Sequence, residues 1–197
     1  MNFLAHLYLS DHHEKIMIGN FIADFVKGKN ALQAFEPDII SGILLHRAID
    51  AFTDTHPVVS KSKNRLRPKY HHYAGVIVDV LYDHCLARNW SSYHPDTLPK
   101  FADYCYQTIL SYREILPERA KQMLPYMVKQ NWLLNYRSWD GIHASLSGMS
   151  RRTAYASHMD EAAEDLKADY PEYESEFNTF FPELVKMSKN FLSKPLT

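Results

Sequence analysis

The chain has 197 residues, enough for one sizeable core and short for two ordinary domains, with 46% hydrophobic and 23% charged residues. Lys and Arg number 22 against 23 Asp and Glu, so the net charge of -1 excludes a global field for nucleic acid and leaves charged partners to local patches. Gly is scarce, at 6, which argues against glycine-rich phosphate cradles, while His is abundant, at 11, with His6, His12, His13, His46, His56, His71, His72 and His84 in the first 84 residues.

The predicted elements are helical nearly throughout. Ile16, Ile18, Phe21, Ile22, Phe25 and Val26 predict a helix over 14–27, and Asp11 with Glu14 resembles a capping box. Pro37 opens a helix over 37–55 that carries Ile40, Ile43, Leu44, Ala48 and Phe52. Val76, Ile77, Val80, Leu81 and Leu86 predict a third over about 72–89. Prolines at 95, 99, 117, 125, 171 and 182 then punctuate helices expected at 98–114, 118–135, 139–149, 152–169 and 172–192. Strand signals are nearly absent, since Val58-Val59 is short and no Asn-Gly or Asp-Gly turn occurs. The expected fold is all-α, a single compact helical bundle over 1–197.

Other classes are excluded quickly. Cys85 and Cys105 are too few and too far apart for a disulfide framework or a cysteine zinc site, so a cytoplasmic protein is expected. The first residues lack a basic n-region and meet His6 and Asp11 early, unlike a signal peptide. No run of 18 apolar residues predicts a membrane span. Neither a Gly-x-Gly-x-x-Gly nor a Walker loop is present, nor a His-Glu-x-x-His or the Glu-x-x-His of ferritin-like di-iron sites.

Chemistry concentrates in four places. On a helix, His46, Asp50 and Asp54 form one stripe, because four residues advance about 400°. Imidazole and carboxylate from one face suit a divalent metal; the bland alternative is a polar face on which His46 and Asp50 pair. Asp79 and Asp83 lie four apart in an apolar helix, where two like charges call for a shared cation or for arginines from elsewhere. Asp24 is flanked by apolar residues, with Asn20 one turn before it to orient it, and His6 sits in an equally apolar run. Two imidazoles, several carboxylates and no thiolate favour Mn²⁺, Mg²⁺, Fe²⁺ or Zn²⁺.

These segments carry a resemblance. Met1 to Leu7, Gly19-Asn20 through Gly28, His46-Arg47-x-x-Asp50 with Thr53-Asp54, Asp79 through His84, Gln130 to Leu133 with Tyr136-Arg137, and Gly148 to Arg152 closely resemble the acyl-carrier-protein phosphodiesterases. The resemblance runs in order from the first residue, weakens after about 153, and is most specific at the N-terminus. It implies metal-dependent hydrolysis of the phosphodiester between 4′-phosphopantetheine and a serine of holo acyl carrier protein, releasing the apo form. It also implies a distant relation to the HD phosphohydrolases, although no His-Asp dipeptide is present and three residues separate His46 from Asp50.

With that chemistry, Asp24, His46, Asp50, Asp79 and Asp83 are the metal-site candidates, with Mn²⁺ foremost among the ions above. His6 is a further ligand or a positioning group. Asp24 could instead be a general base, because an apolar setting should raise its pKa, and His84 is the candidate proton donor to the serine oxygen. Residues 61–69 hold five cations and no anion; they read either as a solvated loop or, through Lys63 and Arg65, as a dock for an acidic carrier protein. Lys27, Arg47, Arg137, Arg151 and Arg152 are further substrate-binding candidates. The aromatic residues could line a pantetheine channel, although most are expected in the core. The alternatives are a related phosphohydrolase acting on a nucleotide or other small phosphodiester, and a non-catalytic helical module that binds carrier proteins or stores metal.

Overall fold

Two of the scarce glycines decide where the site is built. A Cβ on Gly19 would lie 2.0 Å from the carbonyl oxygen of Ile39, and one on Gly42 would lie 2.1 Å from that of Ile16. Only hydrogen fits at either position, so the helices carrying them cross in backbone contact. The computed structural model describes residues 1–28 and 30–194, and those crossing helices are α2 (Glu14–Ile22) and α3 (Pro37–Thr55).

In chain order the rest are α1 (Phe3–Tyr8), α4 (Pro57–Tyr70), α5 (Ala74–Arg88), α6 (Leu98–Ser111), α7 (Glu118–Lys129), α8 (Trp132–Asn135), α9 (Trp139–Ser150), α10 (Ala162–Ala168) and α11 (Tyr170–Leu192). Among the described residues there is no strand, and the bundle is all-α. At its centre, α5 buries Ile77, Val78 and every residue from Val80 to Ala87, as expected of a helix apolar almost all round. Leu4 and Leu7 of α1, Ile18 and Ile22 of α2, Ile43 and Ile49 of α3, and Phe177, Phe180 and Phe181 of α11 share the same core. Each such side chain contributes about 1.5–3 kcal/mol on burial.

The helices at 37–55, 98–111 and 139–150 lie close to expectation, and several others differ for local reasons. Residues 57–70 form α4, where a loop was one reading of 61–69. Its buried stripe is Val59, Ser62, Lys63, Leu66 and Tyr70. Two of those five are polar, so helical periodicity was hidden: Ser62 bonds the Tyr82 hydroxyl at 2.7 Å, and Lys63 Nζ donates to Asp54 at 2.7 Å. The expected 118–135 helix breaks at Asn131, which has φ of 47° and caps α8 by accepting from Leu134 N. The expected 152–169 helix shrinks to α10, because Thr153 bonds the Ser150 and Tyr155 carbonyls and holds a turn. The helix over 14–27 ends at Ile22, and a 3-10 turn, Ala23–Phe25, follows. Asp11 does not cap α2: it has φ of 50°, and the N-cap is His13, without a side-chain bond. Cys85 and Cys105 are free and buried, and no described helix is long and apolar enough to cross a membrane.

Candidate metal centre

The crossing of α2 and α3 places His46, in the middle of α3, against the last turn of α2. His46 Nδ1 lies 2.9 Å from the backbone carbonyl oxygen of Asn20, one of the terminal carbonyls a helix leaves without an internal partner. The Asn20 side chain reaches the other way, its Oδ1 2.8 Å from His6 Nδ1. Its Nδ2 donates to the His6 carbonyl at 2.7 Å and to Ser10 Oγ at 3.1 Å, which fixes Oδ1 as the atom facing the imidazole. Both Nδ1 atoms therefore face pure acceptors and carry protons. Asn20 thus orients both histidines, whereas the sequence suggested that it would orient Asp24.

The two imidazole rings stack with centroids 4.0 Å apart and present their Nε2 atoms together. His6 Nε2 lies 3.3 Å from Asp50 Oδ1, and His46 Nε2 lies 3.1 Å from Asp50 Oδ2 and 3.3 Å from Asp24 Oδ1. One donor atom each from His6, His46 and Asp50 falls within 4.8 Å of the others. Burial works against charge on His46, but hydrogen bonds to Asp24 and Asp50 outweigh it and lift its pKa to about 9. Burial lowers His6 to about 4, so it is neutral at pH 7. Burial opposes charge on Asp50 as well, yet the hydrogen bond from His46 holds its carboxyl well below the usual range.

A neutral His6 protonated on Nδ1 aims the lone pair of Nε2 at a carboxylate oxygen, which is repulsive without a positive charge between them. Two imidazole nitrogens, two carboxylates and no sulfur are a donor set for a borderline divalent cation, and rings held by hydrogen bonds at the far nitrogen are how such ligands are oriented. The residues therefore fit the group.

Asp24, His46, Asp50 and Asp79 line one cavity of about 210 Å³ together with Met1, Thr53 and Asp54. Asp79 Oδ1 accepts from the Met1 ammonium at 2.8 Å. Asp24 is open to solvent, with a side chain 70% exposed, and the His46 hydrogen bond holds its pKa below the ordinary value. That reverses the raised value expected of a general base.

Three further expectations change. Asp83 is fully buried away from this cavity: Oδ1 accepts from Asn2 N at 3.1 Å and Oδ2 from Leu4 N at 2.7 Å, so it anchors the start of α1. His84 has no exposed surface from which to reach a leaving group. Its Nδ1 donates to the Tyr136 carbonyl at 2.6 Å, its ring packs on Trp139 and Tyr170, and burial lowers its pKa to about 4, so at pH 7 it is a neutral imidazole and not an acid. Lys63 and Arg65 are engaged within the fold, by Asp54 and by Glu176 of α11 at 2.9 Å, and are not free docking cations. Arg47 donates to the Val26 carbonyl at 3.3 Å, beside Asp24, while Lys27 and Arg137 are exposed. Arg151 and Arg152 border a second cavity that also reaches Asp24.

The family model for acyl carrier protein phosphodiesterase matches residues 1–184. This chain belongs to that family. It is 36% identical to the acyl carrier protein phosphodiesterase of Enterobacter sp. (strain 638) over 96% of this chain and 98% of the relative. It is 35% identical to that of Escherichia coli O6:H1 over 95% and 97%, and 32% identical to that of Photorhabdus laumondii over 96% of each. No solved structure matches. What sequence reasoning missed within the family's conserved-length frame is the structural part of the site: Gly19 and Gly42 at the crossing, the Met1 amine on Asp79, and Asn20 between two rings. The one available signal was an Asn in an apolar helix.

Proposed function

We propose that this protein is a divalent-metal-dependent phosphodiesterase that removes 4′-phosphopantetheine from holo acyl carrier protein. The observation that supports this best is the pair of stacked imidazoles, each tied at Nδ1 to Asn20 and offering Nε2 to Asp50 and Asp24, in a chain of this family. His6, His46, Asp50 and Asp24 would hold the cation. When bound, such an ion neutralises charge on a phosphoryl oxygen and makes a nucleophilic water accessible near neutral pH.

The chain's own residues supply the rest. Asn20 keeps both rings turned toward Asp50, which bridges their Nε2 atoms. Asp24, ionised and exposed at the mouth, excludes a second anion except where positive charge offsets it, which Arg151 and Arg152 on the adjoining wall provide. In the hydrolysis a water oxygen bonds phosphorus, the bond from phosphorus to the serine oxygen breaks, and the serine oxygen gains a proton. The phosphate leaves with pantetheine.

The test is incubation with holo carrier protein and Mn²⁺, followed by intact-mass measurement of the carrier. Loss of the prosthetic group's mass, abolished by a chelator and by Asp50→Ala, is expected. An unchanged carrier mass beside turnover of nucleotides would overturn the reading in favour of a small-phosphodiester hydrolase.

A further inference from the structure

The cation cavity has a neighbour. A cleft of about 360 Å³ shares Asp24 with it and extends between α8 and α9, closed at one side by Phe3 of α1. Its volume falls in the range of small-molecule sites. The sequence of α9 creates it. Gly141 packs α9 hard against α8, since a Cβ there would lie 1.9 Å from the Asn135 carbonyl oxygen. Ala144, Ser145 and Gly148 follow on the same face at helical spacing, and they keep the floor low. At Gly148 a Cβ would meet nothing nearer than Arg151 Nη2, at 3.9 Å, so that guanidinium folds over the floor.

The lining is mixed. Phe3 and Trp132, with ring centroids 6.3 Å apart, and Met149 supply apolar surface. Gln130 and Asn135 supply amides only partly used within the fold: Gln130 Oε1 takes the Trp132 indole and Asn135 Nδ2 donates to the Gln130 carbonyl, which leaves Gln130 Nε2 and Asn135 Oδ1. Arg151 and Arg152 line the same cleft as Asp24 and supply its positive charge. The larger groove on the molecule, about 560 Å³ beside Phe52 and the end of α11, has none of the imidazole and aspartate donors.

We propose that the α8–α9 cleft binds the pantetheine arm of the substrate, with the arm's phosphate at the Asp24 mouth beside Arg151 and Arg152. The inference rests on the function proposed above and adds where the arm lies. An elongated chain with a methylated head, two amides and one terminal phosphate matches apolar walls, one free amide donor, one free amide acceptor and two arginines in a cleft that shares Asp24 with the cation cavity. Ser145 and Ala144 are then specificity-determining positions, because a large side chain at either would occupy the arm's space.

The test is calorimetric titration of the Mn²⁺-loaded protein with 4′-phosphopantetheine, in wild type, Ser145→Phe and Ala144→Phe, each checked by thermal melting. Binding by wild type and at least tenfold weaker binding by both folded variants are expected. A second readout needs no bulky variant: 4′-phosphopantetheine should shift tryptophan emission in wild type and not in Trp132→Phe. Equal affinity in wild type and variants, or no emission change from Trp132 in a protein that releases apo carrier, overturns the cleft assignment. Failure of the underlying function reads out separately, as no apo carrier released by wild type.

Discussion

His6 and His46 give one ring nitrogen each to Asn20 and turn the other to Asp50, so Asn20 orients two candidate ligands at once. Asn20→Ala should weaken divalent-ion affinity by about 10–100-fold, read by competition with a chromophoric chelator. It should also lower stability by about 1–3 kcal/mol, because the His6 carbonyl and Ser10 lose a buried partner. Retained ion affinity would show that the rings need no such support. His46 also gives the site a pH signature. Its pKa is about 9 in the folded, cation-free protein against 6.5 ordinarily, so folding takes up its proton. The resulting stability is fully present below about pH 6.5 and is lost as pH rises through about 9. The melting temperature of chelator-treated protein should fall across that window, and a His46→Gln variant should fall less. A cation needs the imidazole deprotonated, so its binding should release a proton and tighten over the same window.

At the scale of elements, the contact of α2 with α3 and the anchoring of α1 on α5 decide whether His6, Asp24, His46 and Asp50 meet. Gly42→Ala puts a methyl 2.1 Å from a backbone oxygen that cannot rotate away. It should cost about 1–3 kcal/mol in denaturant melts and reduce turnover by moving His46 from Asn20. The sequence offers Asp83 a shared cation or arginines from elsewhere, because a carboxylate in an apolar helix needs a partner; the structure satisfies it with the backbone amides of Asn2 and Leu4 instead. Burial raises its pKa to about 7, ahead of the opposing effect of the Met1 ammonium and those amides. Asp83→Ala should therefore lower stability while leaving the bound-ion stoichiometry unchanged, whereas Asp50→Ala should abolish ion binding. Inductively coupled plasma analysis of both purified variants separates the two roles. Nothing local in the α5 sequence distinguishes an aspartate that needs a cation from one that meets the end of another helix 81 residues away.

Across the whole molecule, charge is arranged differently from its distribution along the chain. The five cations at 61–69 form one run in sequence, but α4 directs Lys63 to Asp54, Arg65 to Glu176 and Lys69 to Glu161 and Asp165. Arg65 joins α4 to α11 through both Glu176 oxygens, at 3.1 and 2.9 Å, and stacks on Tyr173 at 4.5 Å. Arg65→Glu should thus destabilise by on the order of 1 kcal/mol, seen as a lower melting temperature, and leave KM for the carrier protein near its wild-type value. A rise in KM without loss of stability would restore the docking role.

By itself the sequence determined the helical class and the extents of α3 and α9, and it named His6, Asp24, His46 and Asp50 as candidates, because periodicity and i, i+4 spacing are local properties of a helix. It also carried the family, through short runs of residues in order. Only the tertiary structure decided which polar residues share a cavity. Asp79 and Asp83 are equivalent in spacing, yet one borders the site and the other holds α1, since each is defined by what packs on it. The same holds for His84, isolated among aromatic rings, and for the six glycines: a count that argues only against phosphate loops includes the two contacts at which the helices carrying Asn20 and His46 cross.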